Sequence, residues 1–112
     1  MVKKFKRPPL NSSTFNIREI CKQLLLLEEH LTDAEKFCPD CIRKHLLTVE
    51  AYAEESMTLE PNGSWVKESG RMARNARAWM VQFTDGKSIA LIAKDIRSIR
   101  KKLVAVAFDP RA

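Results

Sequence analysis

Apolar residues recur at spacings of three and four in four successive stretches of the chain, and this spacing constrains the fold more than any other feature. In the first stretch they place one apolar side along a helix of about four turns. A half-buried strand would instead alternate every second residue. The sequence therefore predicts an all-α protein. The apolar positions are Ile17, Ile20, Leu24, Leu27 and Leu31; Ile42, Leu46, Val49, Ala53 and Leu59; Met72, Ala73, Ala76, Trp79, Met80 and Phe83; and Ile89, Ile92, Ile96, Ile99 and Leu103.

Residues that favour helix ends lie between these stretches. Asn16 and Glu19 read as a capping box at the start of the first helix, and Pro39 suits the first position of the second. The Pro-Asn-Gly run at 61–63 ends that helix, after which Ser64 is expected to cap the third. Short links make successive helices antiparallel. The expected architecture is a four-helix bundle or two packed helical hairpins.

The length of 112 residues suits a single domain. Residues 1–14 are basic and include an Arg-Pro-Pro run at 7–9, which resists helix formation. We therefore expect an extended basic arm over 1–14 and one helical domain over 15–112. The first helix of that domain is predicted over 16–31.

No apolar run approaches the ~20 residues of a membrane span, and the basic start lacks the apolar stretch of a secretory signal. The three cysteines are an odd count, and two of them stand as C-x2-C. That spacing is more typical of metal sites and redox motifs than of structural disulfide frameworks. These features predict a reducing intracellular compartment such as the cytoplasm.

Cys38, Cys41 and His45 form a C-x2-C-x3-H pattern at the predicted start of the second helix. Offsets of three and seven residues bring all three to one helix face. Two thiolates and an imidazole suit Zn²⁺ in a tetrahedral structural site, which needs a fourth ligand. An antiparallel hairpin brings His30 to this point, whereas Cys21 lies more than two turns further away. The sequence predicts zinc bound by His30, Cys38, Cys41 and His45, with Cys21 as the competing ligand.

Two other interpretations of the cysteine pair stay open. The thiols can be unligated structural residues, or they can be redox-active, because a C-P-x-C run at a helix start lowers a thiol pKa. Small helical flavin-linked thiol oxidases resemble this chain in having C-x2-C at a helix start. They carry further His and Asn residues that hold the flavin, and this sequence has only two histidines.

The formal net charge of +6 implies attraction to acidic surfaces or to nucleic acid. No aromatic residue interleaves the basic residues, so Trp65 and Trp79 read as core or interface anchors rather than base-stacking platforms. An ordinary solvated face is the competing interpretation of the basic positions. The candidate contacts are Lys3, Lys4, Lys6, Arg7, Lys67, Arg71, Arg74, Arg77, Arg97, Arg100, Lys101 and Lys102.

The acidic residues give no paired acid–base site. Neighbours such as Glu28 and Glu29 point in different helix directions and read as surface residues. The sequence also has no glycine-rich phosphate loop, nucleophile elbow or Ser-His-Asp candidate. A binding or structural role is therefore favoured over catalysis.

Three runs carry a resemblance to a group of proteins: Asn-Ile-Arg-Glu-Ile-Cys-Lys-Gln at 16–23, Glu-His-Leu at 29–31, and Cys-Pro-Asp-Cys-Ile-Arg-Lys-His-Leu at 38–46. Over residues 16–59 the chain resembles small uncharacterised helical proteins of large DNA viruses and tailed phages. The resemblance implies a viral or virion-associated helical protein and no activity. It suits a minor capsid or packaging component that contacts acidic partners or the genome.

Overall fold

A computed structural model describes residues 12–109, and every regular element among them is an α-helix. The helices are α1 (Ser13–Thr32), α2 (Pro39–Leu59), α3 (Val66–Thr84) and α4 (Ile89–Ala107). The predicted all-α fold with four helices is confirmed. The apolar run from Val104 belongs to α4, which continues to Ala107. Most of the predicted basic arm, with Lys3, Lys4, Lys6 and Arg7, lies outside the described residues.

The first helix begins three residues earlier than predicted. Ser12 caps it by accepting a hydrogen bond from the main-chain nitrogen of Phe15 through its hydroxyl. The prediction of a capping box at Asn16 is wrong, because that side chain is buried within α1 and donates to the main-chain oxygen of Tyr52 in α2. A tertiary hydrogen bond thus replaces the expected local one, and the predicted arm loses Ser13 and Thr14 to the helix.

The later helix ends are set by simple local chemistry. Pro39 occupies the first turn of α2, as the sequence indicates. At the start of α4, the hydroxyl of Ser88 accepts a hydrogen bond from the main-chain nitrogen of Leu91. The predicted cap at Ser64 is wrong, because α3 starts after Trp65 without a side-chain cap. Gly86, at φ 75°, turns the chain between α3 and α4.

The four helices form a bundle in which α1 packs against both α2 and α4, and α2 also packs against α3. By contrast, α3 and α4 make few contacts with each other. Their clearest link is a hydrogen bond of 2.7 Å from the indole nitrogen of Trp79 to Asp95. The bundle is therefore closed on three sides and open between its last two helices.

The core lies along α1 and contains the predicted apolar positions. Ile17, Ile20, Leu24 and Leu27 are fully buried, and Trp79 is 1% exposed. Leu59 is an exception, because it ends α2 and is 39% exposed instead of packing against α1. Trp65 is also buried, so both tryptophans are anchors of the core as predicted.

A buried acid joins α1 to α4. Glu28 is 7% exposed, and its two carboxylate oxygens accept separately from Arg97 and Arg100, the latter at 2.9 Å. Nearer the other end of α4, the Arg18 guanidinium donates to the main-chain oxygen of Ala107 at 2.8 Å. The prediction that Glu28 is a surface residue is wrong, because α4 covers it. These contacts fix the register of the two helices.

None of the helices within residues 12–109 combines the length and the apolar character that a membrane span needs.

Candidate functional site

The turn between α1 and α2 brings His30 to His45 and Cys38 to Cys41, and we call these four residues of the predicted metal site the His-Cys cluster (His30, Cys38, Cys41 and His45). Cys38 is the N-cap of α2, and its sulfur accepts a hydrogen bond of 3.2 Å from the main-chain nitrogen of Cys41. The first-turn amides of a helix stabilise negative charge. The Cys38 sulfur is therefore placed where a thiolate is favoured.

The sulfurs of Cys38 and Cys41 are joined as a disulfide, with their Cα atoms 5.2 Å apart. A sulfur bonded in this way is not a thiolate and does not serve as a zinc ligand in the sense of a Cys-His site. In the described part of the chain, no group of three or more His, Cys, Asp or Glu side chains is arranged to hold a metal ion. Zinc binding at this cluster stays a prediction and requires the reduced pair.

The two imidazoles of the cluster lie against each other, as the hairpin prediction required. The rings of His30 and His45 stack with centroids 5.3 Å apart and an interplanar angle of 24°. His30 lies in the last turn of α1 and His45 in the second turn of α2, so the contact bridges the two helices. The turn thus gathers both histidines of the chain at one place.

Both imidazoles have an oxygen atom as the partner of Nδ1. Nδ1 of His30 lies 2.7 Å from the main-chain oxygen of Lys36, and Nδ1 of His45 contacts Oε1 of Gln23. A carbonyl oxygen only accepts, so each Nδ1 carries the hydrogen and each neutral ring keeps the Nε2 lone pair. Metal-bound histidines commonly show this arrangement, since the second nitrogen is held by an oxygen acceptor.

The environment of His45 also favours its neutral form. Burial lowers the pKa of His45, and the nearby His30 and Lys44 lower it further by charge repulsion. A neutral imidazole retains a lone pair, and a charged one does not. The His45 ring can therefore donate an electron pair to a metal over a wider range of pH than an exposed histidine can.

Cys21, the competing ligand, lies in the core instead. It is 4% exposed, and burial raises its pKa to about 12, with Arg100 and Arg18 opposing that rise. A thiol of this kind is inert and apolar in character. The prediction that Cys21 packs in the core is confirmed.

We expect the three thiols to differ sharply toward an alkylating reagent. After reduction, iodoacetamide at pH 8 should modify Cys38 and Cys41 while Cys21 stays unmodified in the folded protein. With a pKa of about 12, its thiolate fraction is about one in ten thousand at that pH, and burial blocks access as well. Mass spectrometry of the intact chain and its peptides measures this. All three thiols should react in denaturant, and equal labelling of Cys21 in the native protein would contradict its burial.

The predicted basic contacts separate into two groups. Arg97 and Arg100 are engaged by Glu28, and Arg77 pairs with Glu50 and Glu54 of α2. These three arginines join helices of the same chain. The remaining described candidates are exposed and have no ion-pair partner within residues 12–109: Lys67, Arg71, Arg74, Lys101 and Lys102.

The sequence analysis did not identify the oxygen atoms that pair with Nδ1 of the two histidines. Gln23 is about two turns before His30 on α1, and its side chain reaches His45 across the hairpin. Lys36 acts through its main-chain oxygen, so no side-chain pattern marks it. The contact between Gln23 and His45 could be identified from the spacing of Gln23 and His30 on α1, once the alignment of α1 with α2 in the hairpin is known.

The His-Cys cluster can do two kinds of chemistry. When reduced, it offers two thiolates and two imidazoles, which is the donor set of a tetrahedral zinc site. When its sulfurs are joined, it offers a disulfide at a helix start, which can exchange with other thiols. Comparison with known proteins found no family model, curated protein or solved structure that matches the chain.

Proposed function

We propose that this chain is a non-enzymatic, zinc-stabilised helical interaction protein. The observation that carries the proposal is the pairing of both Nδ1 atoms of His30 and His45 with oxygen acceptors, at the turn that holds Cys38 and Cys41. Each Nε2 is left with a lone pair, and the reduced sulfurs supply two thiolates. This donor set matches a structural zinc site of the Cys2His2 type.

Zinc at this place would cross-link α1 and α2 at their shared turn. The segment between the helices is short, and residues 33–37 are all exposed to solvent. Binding a metal there converts binding energy into folding energy, because the ligands come together only in the folded hairpin. The zinc form requires the dithiol and hence a reducing compartment.

The interaction role is supported by the charge of the chain and by its exposed basic residues. A net charge of +6 favours acidic partners, either proteins or nucleic acid. The resemblance of residues 16–59 to small proteins of large DNA viruses and tailed phages extends the proposal to a minor structural component of a virus particle. In that role the protein contacts acidic protein surfaces or the genome, in a capsid or packaging assembly.

Metal content tests the zinc proposal. Protein purified with a reducing agent and without chelator should carry close to one equivalent of zinc per chain, as measured by inductively coupled plasma mass spectrometry. Cys38→Ser and Cys41→Ser should each lose most of it, because a hydroxyl does not replace a thiolate ligand. Replacement of zinc by Co²⁺ should give the visible absorption of a tetrahedral thiolate site.

Cys21→Ala is the matched control, since it removes a thiol that lies outside the cluster. It should retain the metal, whereas His30→Ala and His45→Ala should weaken binding. Loss of zinc in Cys21→Ala with full retention in His30→Ala would make Cys21 the fourth ligand. A reduced wild-type protein that takes up no zinc at micromolar concentration would refute the zinc site.

The joined sulfurs favour a second candidate function, that of a helical thiol oxidoreductase. In such a reaction a substrate thiolate attacks one sulfur of the Cys38–Cys41 disulfide, and the other leaves as a thiolate. A second substrate thiol then resolves the mixed disulfide, so two electrons and two protons pass from the substrate dithiol to the protein pair. Flavin copurification and turnover of a dithiol substrate would support this function, whereas stoichiometric zinc without turnover would oppose it.

A further inference from the structure

The open side of the bundle contains a groove between α3 and α4, which we call the α3–α4 groove. It has a volume of about 300 Å³ and lies between the first half of α3 and the second half of α4. Its apolar lining comes from Met72 on α3 and from Ile99, Leu103 and Val106 on α4. The three α4 residues follow at spacings of four and three, so they form one helix face. Within residues 12–109 no further helix covers that face.

The floor of the groove is less exposed to solvent than its edges. Met72 and Leu103 are 2% and 6% exposed, so they form the floor, whereas Val106 is 48% exposed. An exposed valine beside a buried floor is what a docked side chain would cover. The groove is therefore suited to take a few apolar side chains from a neighbouring element.

Positive charge surrounds this apolar lining. Arg71 on α3 and Lys102 on α4 line the groove from its two sides, and both are exposed. Lys67 is exposed one turn before Arg71. Among the residues within 12–109 that line the groove, Glu68 is the only one with a carboxylate. An occupant with acidic side chains on either side of an apolar stripe would match this arrangement.

Two other occupants fit the groove less well. The first eleven residues of the chain contain Lys3, Lys4, Lys6 and Arg7 and no acidic residue, so their charge opposes that of the groove edges. Nucleic acid matches the edges but not the floor, because phosphates and sugars gain nothing from Met72 and Leu103. Charge and apolar character together select a protein helix.

We propose that the α3–α4 groove binds an amphipathic acidic helix of a partner protein. Apolar side chains of the partner insert between α3 and α4 over Met72 and Leu103, and acidic side chains on its flanks pair with Arg71 and Lys102. The proposal rests on the proposed role in interaction and is independent of the zinc site. The His-Cys cluster lies at the turn between α1 and α2, while the groove meets the end of α4 that Arg18 contacts.

A designed peptide pair tests the proposal on the full chain. Both peptides are fluorescein-labelled helices of about five turns with leucine along one face. The remaining positions are glutamate in one peptide and lysine in the other. Fluorescence anisotropy should show that the glutamate peptide binds at least about tenfold more tightly than the lysine peptide. The double variant Arg71→Glu/Lys102→Glu should weaken that binding by about tenfold or more. Val106→Asp should weaken it as well, because it places a charge on the apolar face.

Lys87→Glu/Lys94→Glu is the matched control, since it makes the same change of net charge at exposed lysines that do not line the groove. It should change the affinity by less than about threefold. Circular dichroism and zinc content, measured on all variants, separate failure of this proposal from failure of the zinc site.

Equal binding of the two peptides, or equal weakening by the groove and control variants, would overturn the proposal. A third outcome is that a labelled DNA duplex binds, that the Arg71→Glu/Lys102→Glu variant loses this binding, and that neither peptide binds. The occupant of the groove would then be nucleic acid and not a protein helix. A dimer in light scattering that the same change dissociates would make the occupant a second copy of the chain.

Discussion

Replacing Trp79 with alanine should lower the free energy of unfolding by about 4 kcal/mol, within the ~3–5 kcal/mol range for truncation of a buried aromatic. The side chain is 1% exposed and belongs to the core, so its loss leaves a large cavity. Its indole nitrogen also gives one of the few links between α3 and α4, the hydrogen bond to Asp95. Urea unfolding followed by circular dichroism measures the change as a lower transition midpoint.

Trp79→Phe separates the two contributions of this residue. Phenylalanine keeps most of the apolar volume and removes the hydrogen bond, and the exposed Asp95 then regains water. We expect it to cost about 1–2 kcal/mol, the value of one hydrogen bond and a modest loss of packing. A Trp79→Ala variant as stable as Trp79→Phe would mean that the surrounding helices close the cavity.

The substitution Glu28→Gln should lower the free energy of unfolding by about 2 kcal/mol at neutral pH. The charge of Glu28 is buried between Arg97 and Arg100, and removing one partner of a buried ion pair costs ~3–5 kcal/mol. The value is lower here because the Arg97 side chain is 55% exposed and screened by solvent. Glu29→Gln is the matched control, since its contact with Lys36 is 3.9 Å long and exposed, and it should cost less than about 0.5 kcal/mol.

The effect of Glu28→Gln should also depend on pH. Burial alone raises the pKa of Glu28, but the hydrogen bonds and charges of Arg97 and Arg100 outweigh it and hold that pKa below its ordinary value of 4.5. A carboxyl whose pKa is lowered by folding stabilises the protein fully above its unfolded pKa, and this stabilisation is lost as the pH falls through the folded value. The stability difference between wild type and variant should therefore be constant above about pH 5 and shrink below it. A difference that grows as the pH falls would contradict this assignment.

The elements of the fold were predictable because they depend on neighbours in sequence. The spacing of Ile17, Ile20 and Leu24 predicts a helix whatever lies beside it, and Pro39 and Ser88 start helices through their own backbone and side chain. Asn16 shows where local reasoning fails. Its side chain could either cap its own helix or donate a hydrogen bond to the main-chain oxygen of Tyr52. The second occurs because α2 packs against α1, and the local sequence does not show this packing.

Contacts across helices were harder to predict because they depend on which helices are adjacent. Glu28 and Glu29 look alike in sequence, yet α4 buries only the first. The His-Cys cluster was partly predictable, since the short link between α1 and α2 fixes the hairpin that brings His30 to His45. The sequence marks the C-x2-C pair, but whether its two thiols are reduced or joined depends on the redox conditions around the protein.

The central position of α1 has a consequence for synthesis of the chain. The turn that unites His30 and His45 closes over fifteen residues, so it can form once α2 has left the ribosome. The second neighbour of α1 arrives much later, because Glu28 and Arg97 are 69 residues apart. Until then the side of α1 that α4 will cover remains an uncovered apolar surface on the nascent chain, and this interval is when the growing protein is most exposed to aggregation.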